Sequence, residues 1–236
     1  MPLDPHLADR VRSIPTDPAW NADRSDPANA RVYAEFFTDP APYELPRAVD
    51  IRNDVVPGPH GPIPVRLYRA VGASGAVPAL LWSHGGGFVG GDLDRNESHV
   101  VGAELAALSG ALVVAVGYRL ANQGVRYPVP LDDVEAAWLW LAAHAHELGV
   151  DARRIAIGGG SAGANLAAAT VVRLRGNGDP VPAAVLLAYP ALHFPLPAVD
   201  DEVHVGRVGL RKPVELDVQA VDVRRDLCRF HKAWRW

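Results

Sequence analysis

Four short apolar runs recur through the middle of the chain: Val77–Trp82, Leu112–Val116, Ile155–Ile157 and Ala183–Ala188. None alternates apolar with polar positions, and strands buried on both faces read this way. Between the runs lie segments of helical character: the stretch after Asp94, then Leu131–His146, then the Ala-rich Ser161–Arg175. Strands alternating with helices predict right-handed crossovers, a parallel sheet and helices on both faces, an α/β fold. Upstream, Val49–Val56 and Ile63–Tyr68 flank the turn formers Pro57-Gly58-Pro59-His60-Gly61-Pro62. That order predicts an antiparallel hairpin.

Local signals refine the helices. Asp94 with Glu97 three residues on has the form of a capping box. The helix after it is expected to bury Val100, Val101, Leu105 and Leu108. Asp132 and Asp133 open the next helix, where the helix dipole favours negative charge. Residues 1 to about 48 are rich in Pro, Asp and Ala, with one short helix expected over Asn29–Phe37. The rhythm fails after His193. Val214–Val218 has the pattern of an exposed strand, and the end of the chain is mildly basic, with Trp234 and Trp236.

Composition narrows the function classes. The chain has 236 residues, 49% hydrophobic, with a formal net charge of −4. It can bury a core, and it lacks the concentrated basic face a nucleic-acid partner would require. The single cysteine, Cys228, allows neither an internal disulfide nor a cysteine metal site. No apolar run approaches bilayer length, and the N-terminus lacks a basic and apolar leader. The expectation is a soluble, cytoplasmic protein with no cofactor and no metal. His6, His60, His99, His144 and His146 show no metal-ligand spacing.

Two motifs carry chemistry. Gly159-Gly160-Ser161-Ala162-Gly163 lies between an apolar strand and a helix. A sharp strand-to-helix turn of this kind exposes the serine hydroxyl, and its neighbours must be tiny because strand and helix pass closely. The other reading is a generic glycine turn holding an inert serine. His84-Gly85-Gly86-Gly87-Phe88 follows the strand ending at Trp82. Successive glycines leave backbone N–H groups free to approach a ligand. In acyl transfer such donors hold the developing oxyanion. A phosphate loop would need Gly-Lys-Ser/Thr, which is absent. The motifs occur in the expected order, roughly 75 residues apart.

With these motifs stand Val56-Pro57-Gly58-Pro59, Pro64-Val65-Arg66-Leu67-Tyr68, Gly91-Asp92, Tyr118-Arg119-Leu120-Ala121, Leu131-Asp132-Asp133-Val134 and Ala164-Asn165-Leu166. Together they resemble the bacterial hormone-sensitive-lipase-like carboxylesterases, of family IV in the α/β-hydrolase superfamily, over roughly residues 45–192. The resemblance implies Ser161 as nucleophile, with an oxyanion hole built from Gly85, Gly86, Gly87 and Ala162. Gly86, Gly87 and Ala162 would supply the N–H groups and Gly85 would shape the loop. It implies that His84 orients this loop and is not the catalytic histidine. It also implies a cap-like segment over 1–45, a hydrolase core over 46–192 and a divergent tail over 193–236.

The chain departs from the family in places. Asn122 and Gln123 replace a Pro-acid pair, and Gly160 stands where an acidic residue often precedes the serine. Neither the Asp-Pro-Leu motif nor the His-Gly motif that complete the family's triad follows Leu192. The acids after Leu192 are Asp200, Asp201, Glu202, Glu215, Asp217, Asp222 and Asp226; the histidines are His193, His204 and His231. The triad Asp and His are therefore not assigned. The expectation is that the last strands are missing, through a frameshift or truncation, leaving an exposed sheet edge through which copies associate. Two readings follow. One is a serine hydrolase of short to medium acyl esters, with a small-molecule ester as partner and neither nucleic acid nor membrane. The other is an inactive hydrolase-fold protein or small-molecule binding module.

Overall fold

The computed structural model describes residues 26–31, 43–192 and 220–221. The chain divides into two compact units, 1–44 and 45–236. Of the first, residues 27–31 are helical, with the Asp26 carboxylate accepting the Ala28 N–H at 2.8 Å. The rest of the helix expected over Asn29–Phe37 lies outside the described residues, as does the strand expected over Val214–Val218.

The second unit is built on one mixed sheet. Its strands are β1 (Val49–Val56), β2 (Ile63–Ala70), β3 (Val77–Ser83), β4 (Leu112–Val116), β5 (Val150–Gly160), β6 (Ala184–Ala188) and β7 (Ala220–Val221). Their spatial order is β1-β2-β4-β3-β5-β6-β7. β1 and β2 form the expected antiparallel hairpin, with Val56 opposite Ile63. β2 runs antiparallel to β4, and β4, β3, β5 and β6 are mutually parallel. The two-residue β7 pairs antiparallel with β6 at Val185 and Leu186. The edge that the sequence leaves open at β6 is thus covered at two positions.

Among the described residues three helices cross over the sheet: α1 (His99–Ser109), α2 (Val129–Ala143) and α3 (Ala162–Asn177). Alternation along the strands divides the core into two layers. Ala79 and Leu81 of β3, with Leu112, Val114 and Val116 of β4, pack with Leu131, Val134 and Trp138 of α2 and Leu166, Val171 and Leu174 of α3. The intervening Leu80, Trp82, Val113 and Ala115 pack with Tyr68 and with Ala103 and Ala106 of α1. Helices therefore cover both faces, and the uninterrupted apolar runs are explained by burial on both sides.

α1 differs from its sequence reading in two respects. Its buried residues are Gly102, Ala103 and Ala106, while Leu108 is 81% exposed. The cause is the Tyr68 ring beneath it: a Cβ on Gly102 would stand 2.5 Å from that ring, so only small residues fit the contact. The capping box also does not form. Ser98 is the N-cap and makes no side-chain cap. The preceding turn is closed by Asp92, whose Oδ1 accepts the N–H groups of Asp94 and Arg95 at 2.9 and 3.0 Å.

Candidate active site

β3 and β5 lie side by side in parallel register, with Ser83 opposite Gly159. The two glycine motifs therefore leave the sheet at the same end and level, the carboxyl end where α/β folds place their chemistry. Contact at this exit is close. A Cβ on Gly159 would stand 2.5 Å from the Ser83 carbonyl oxygen, and one on Gly163 would stand 2.1 Å from the same atom.

Ser161 is the turn residue between β5 and α3, with φ 51° and ψ −114°. A residue with a Cβ is strained there by roughly 1–3 kcal/mol, and such strain persists only where the surroundings enforce it. Here they do. The Ser161 N–H donates to the Ala188 carbonyl at 2.9 Å, and its carbonyl accepts from Asn165 N–H at 3.1 Å. The Asn165 side-chain amide donates to the Ala191 carbonyl at 2.7 Å, binding the segment after β6 across the turn. Ala162 opens α3 with its N–H in the first turn, where donors have no intrahelical partner.

The other motif forms a compact loop. Gly86 (φ 114°), Gly87 (φ 62°) and Phe88 (φ 65°) all have left-handed backbones. The Gly86 carbonyl accepts from Val89 and Gly90 N–H, and a Cβ on Gly86 would stand 2.1 Å from the Gly90 oxygen. Gly86 and Gly87 are exposed, and among the described residues neither N–H has an acceptor. Gly85 is buried and its N–H donates to Glu97 Oε1 at 3.0 Å, so its own donor is already committed.

His84 is 1% exposed and stacks on Tyr118 with ring centroids 4.3 Å apart. Its Nδ1 donates to the Gly85 carbonyl at 2.7 Å, which fixes the proton on that nitrogen. Burial lowers its pKa, so the ring stays neutral near pH 7. Nε2 is then a bare acceptor, and it has no partner among the described residues; nor has the buried Ser83 Oγ. The Tyr118 hydroxyl donates to the His84 carbonyl at 2.8 Å. His84 is thus tied to the loop through Gly85 and to Tyr118 through its ring and carbonyl.

His193, His204 and His231, and the acids from Asp200 to Asp226, lie outside the described residues. Among the described residues no group of three or more His, Cys, Asp or Glu is placed to hold a metal ion, and no helix is long and apolar enough to cross a membrane. A cleft of about 450 Å³ near Arg52, Arg69 and Gly149 opens at the starts of β4 and β5, the far end of the sheet from Ser161. Tyr189 carries no signal of a role in the sequence, and Glu97, which the sequence pattern assigns to a helix cap, bonds to Gly85 and Tyr189 instead. Their hydrogen bond joins positions 92 apart in the chain, and no local pattern announces it.

The chain is similar to known hydrolases over much of its length. A family model described as alpha/beta hydrolase fold matches residues 80–225. Esterase LipI of Mycobacterium tuberculosis is 41% identical over 151 residues, covering 61% of this chain and 44% of that protein. The ethyl acetate hydrolase of Pseudomonas putida is 47% identical over 107 residues, covering 44% of this chain and 33% of the relative. The chain thus spans less than half the length of these two relatives. Among solved structures, a bacterial heroin esterase superposes with a TM-score of 0.65 at 35% identity, over 80% of this chain and 58% of that one.

Proposed function

The chain belongs to the α/β-hydrolase family, in its hormone-sensitive-lipase-like esterase branch, and from that premise we propose that it supplies the nucleophile and oxyanion hole of a carboxylic-ester hydrolase for short to medium acyl esters. The observation that carries the reading is the strained Ser161 beside the free N–H groups of Gly86 and Gly87, on adjacent strand ends. The names of the relatives support an ester as substrate.

In this reading Ser161 Oγ attacks the ester carbonyl while a base removes its proton. The carbonyl oxygen becomes an oxyanion and accepts hydrogen bonds from Gly86, Gly87 and Ala162. One such donor contributes on the order of 3 kcal/mol in the transition state. Collapse, with the base passing that proton to the leaving oxygen, expels the alcohol and leaves an acyl-serine; water, deprotonated by the same base, then cleaves it to the acid, and the proton returns to Ser161 Oγ. The base is a histidine other than His84, whose Nδ1 is occupied and whose ring is walled in.

Hydrolysis of p-nitrophenyl butyrate by the purified chain, with Ser161→Ala alongside, tests the proposal. Turnover that the substitution abolishes is the expected result. A folded chain with no turnover above the mutant would overturn it in favour of an inactive or ligand-binding member of the family.

A further inference from the structure

The ester chemistry leaves Glu97 without a role, yet its Oε1 bonds two separate segments beside the site. It accepts the Gly85 N–H at 3.0 Å and the Tyr189 hydroxyl at 2.5 Å. Gly85 immediately precedes the two free N–H groups. Tyr189 immediately follows Ala188, whose carbonyl receives the Ser161 N–H. A Cβ on Gly160, the residue before the serine, would stand 2.6 Å from the same Oε1 and 2.7 Å from the Tyr189 hydroxyl. One carboxylate oxygen therefore sits against the oxyanion loop, the serine turn and the segment after β6.

The carboxylate is held in place. The Trp82 indole N–H donates to the Glu97 carbonyl at 3.0 Å, anchoring its backbone to β3. The next residue, Ser98, donates from Oγ to the Asp92 carbonyl at 2.7 Å, closing the turn that Asp92 also caps. A hydrogen bond to an ionised acceptor is about twice as strong as a neutral one. The two bonds at Oε1 therefore join the loop and the post-β6 segment more firmly than backbone contacts alone.

We propose that Glu97 is a positioning residue for this site, its carboxylate setting the oxyanion loop against the serine turn and standing where a side chain at position 160 would otherwise stand. The proposal rests on the ester-hydrolase reading. It accounts for a glycine before the serine, since any Cβ there meets Glu97 and Tyr189. It also explains why the acid three residues after Asp94 does not cap α1: it is turned to Gly85 instead.

The test compares the purified full chain with Glu97→Ala, Glu97→Gln, Gly160→Asp and the double variant Glu97→Ala/Gly160→Asp. For p-nitrophenyl butyrate, Glu97→Ala is expected to lower kcat by about 10- to 100-fold, the scale of a small misplacement of catalytic groups, with KM within about 2-fold. Glu97→Gln keeps an oxygen that can accept both bonds and is expected to recover most of the rate. Gly160→Asp alone is expected to impair turnover, and the double variant to restore part of it by returning a carboxylate from the opposite side. An unchanged kcat in Glu97→Ala, or a loss recovered by neither Gln nor the double variant, would overturn the proposal. Hydrogen exchange at the Gly85 amide needs no turnover and should quicken at least about 10-fold in Glu97→Ala; unchanged exchange would also overturn it. A wild-type chain that hydrolyses no ester counts against the ester-hydrolase reading alone, and the exchange result then decides the place of Glu97.

Discussion

Gly163 passes so close to Ser83 that a Cβ added to it would stand 2.1 Å from the Ser83 carbonyl oxygen and 2.4 Å from that of His84. Both obstacles are backbone, so neither can rotate away. Overpacking of this kind costs about 1–3 kcal/mol when the surroundings can shift. Gly163→Ala is expected to fall at the upper end, because the shift would move β3 or α3. The denaturant midpoint of the variant checks this; a value equal to wild type would mean the contact yields easily.

Gly87 offers the opposite case. Its φ is 62°, but a Cβ there meets nothing within 4 Å. Alanine costs about 1–2 kcal/mol for the left-handed backbone, with no steric penalty beyond it. Relief of that strain would rotate the exposed N–H away from the proposed oxyanion hole. Gly87→Ala is therefore expected to remain folded and lose ester turnover by on the order of 10²-fold, the effect of one lost oxyanion donor. Equal turnover would remove Gly87 from the hole.

These glycines show what the sequence made legible and what it did not. Tiny residues two positions either side of Ser161, and a run of three after His84, are local demands of tight turns, so both motifs are legible in the sequence alone. The apolar runs gave β3 to β6 and the Pro/Gly cluster gave the hairpin, because burial on both faces and turn chemistry leave short-range marks. The buried side of α1 is not legible for a tertiary reason: it is chosen by the Tyr68 ring on β2, which requires Gly102 and leaves Leu108 in solvent. The Glu97–Tyr189 bond and the contact of His60 with Asp132, 72 residues apart, are products of folding and leave no periodic trace.

The sheet is also tied by a buried ion pair. Asp133 is 0% exposed and accepts the Arg119 guanidinium at 2.6 Å and the Arg119 backbone N–H at 2.9 Å. The same guanidinium donates to the Pro62 carbonyl at 3.2 Å, so α2, the loop after β4 and the hairpin meet at one residue. Removing the acid leaves a half-buried cation and an orphaned N–H. Asp133→Ala is expected to cost about 3–5 kcal/mol in equilibrium unfolding, as for other broken buried pairs. A loss below about 1 kcal/mol would show the pair to be well hydrated.

Acid should weaken the fold in two stages. Burial lowers the His84 pKa below its ordinary 6.5. As pH falls below 6.5 the unfolded chain takes up a proton there that the folded chain refuses, so stability declines, by at most about 1.4 kcal/mol per pH unit for one proton. The second stage belongs to Asp132. Burial raises its pKa, but hydrogen bonds from His60 at 2.7 Å and Arg173 at 2.7 Å prevail and hold it below 3.8. Its contribution is complete above 3.8 and is lost as pH falls through the lower folded value. Unfolding free energies from pH 7 to 3 should show both declines, and Asp132→Asn should flatten only the lower one.

Ser161 itself should be a stability cost that function retains. At φ 51° and ψ −114° the strain belongs to any residue with a Cβ. Ser161→Ala removes the proposed nucleophile but keeps the strain, so its stability should match wild type closely. Ser161→Gly releases the strain while widening the unfolded ensemble, and the balance is a gain of about 1 kcal/mol. Thermal unfolding of the three proteins separates the two effects. A glycine variant more stable than the alanine variant, with both inactive, identifies backbone strain at the serine turn as distinct from loss of the hydroxyl. A glycine variant less stable than alanine would mean that the bonds to Ala188 and Asn165 hold an unstrained turn, and that the geometry exposing Ser161 costs the fold nothing.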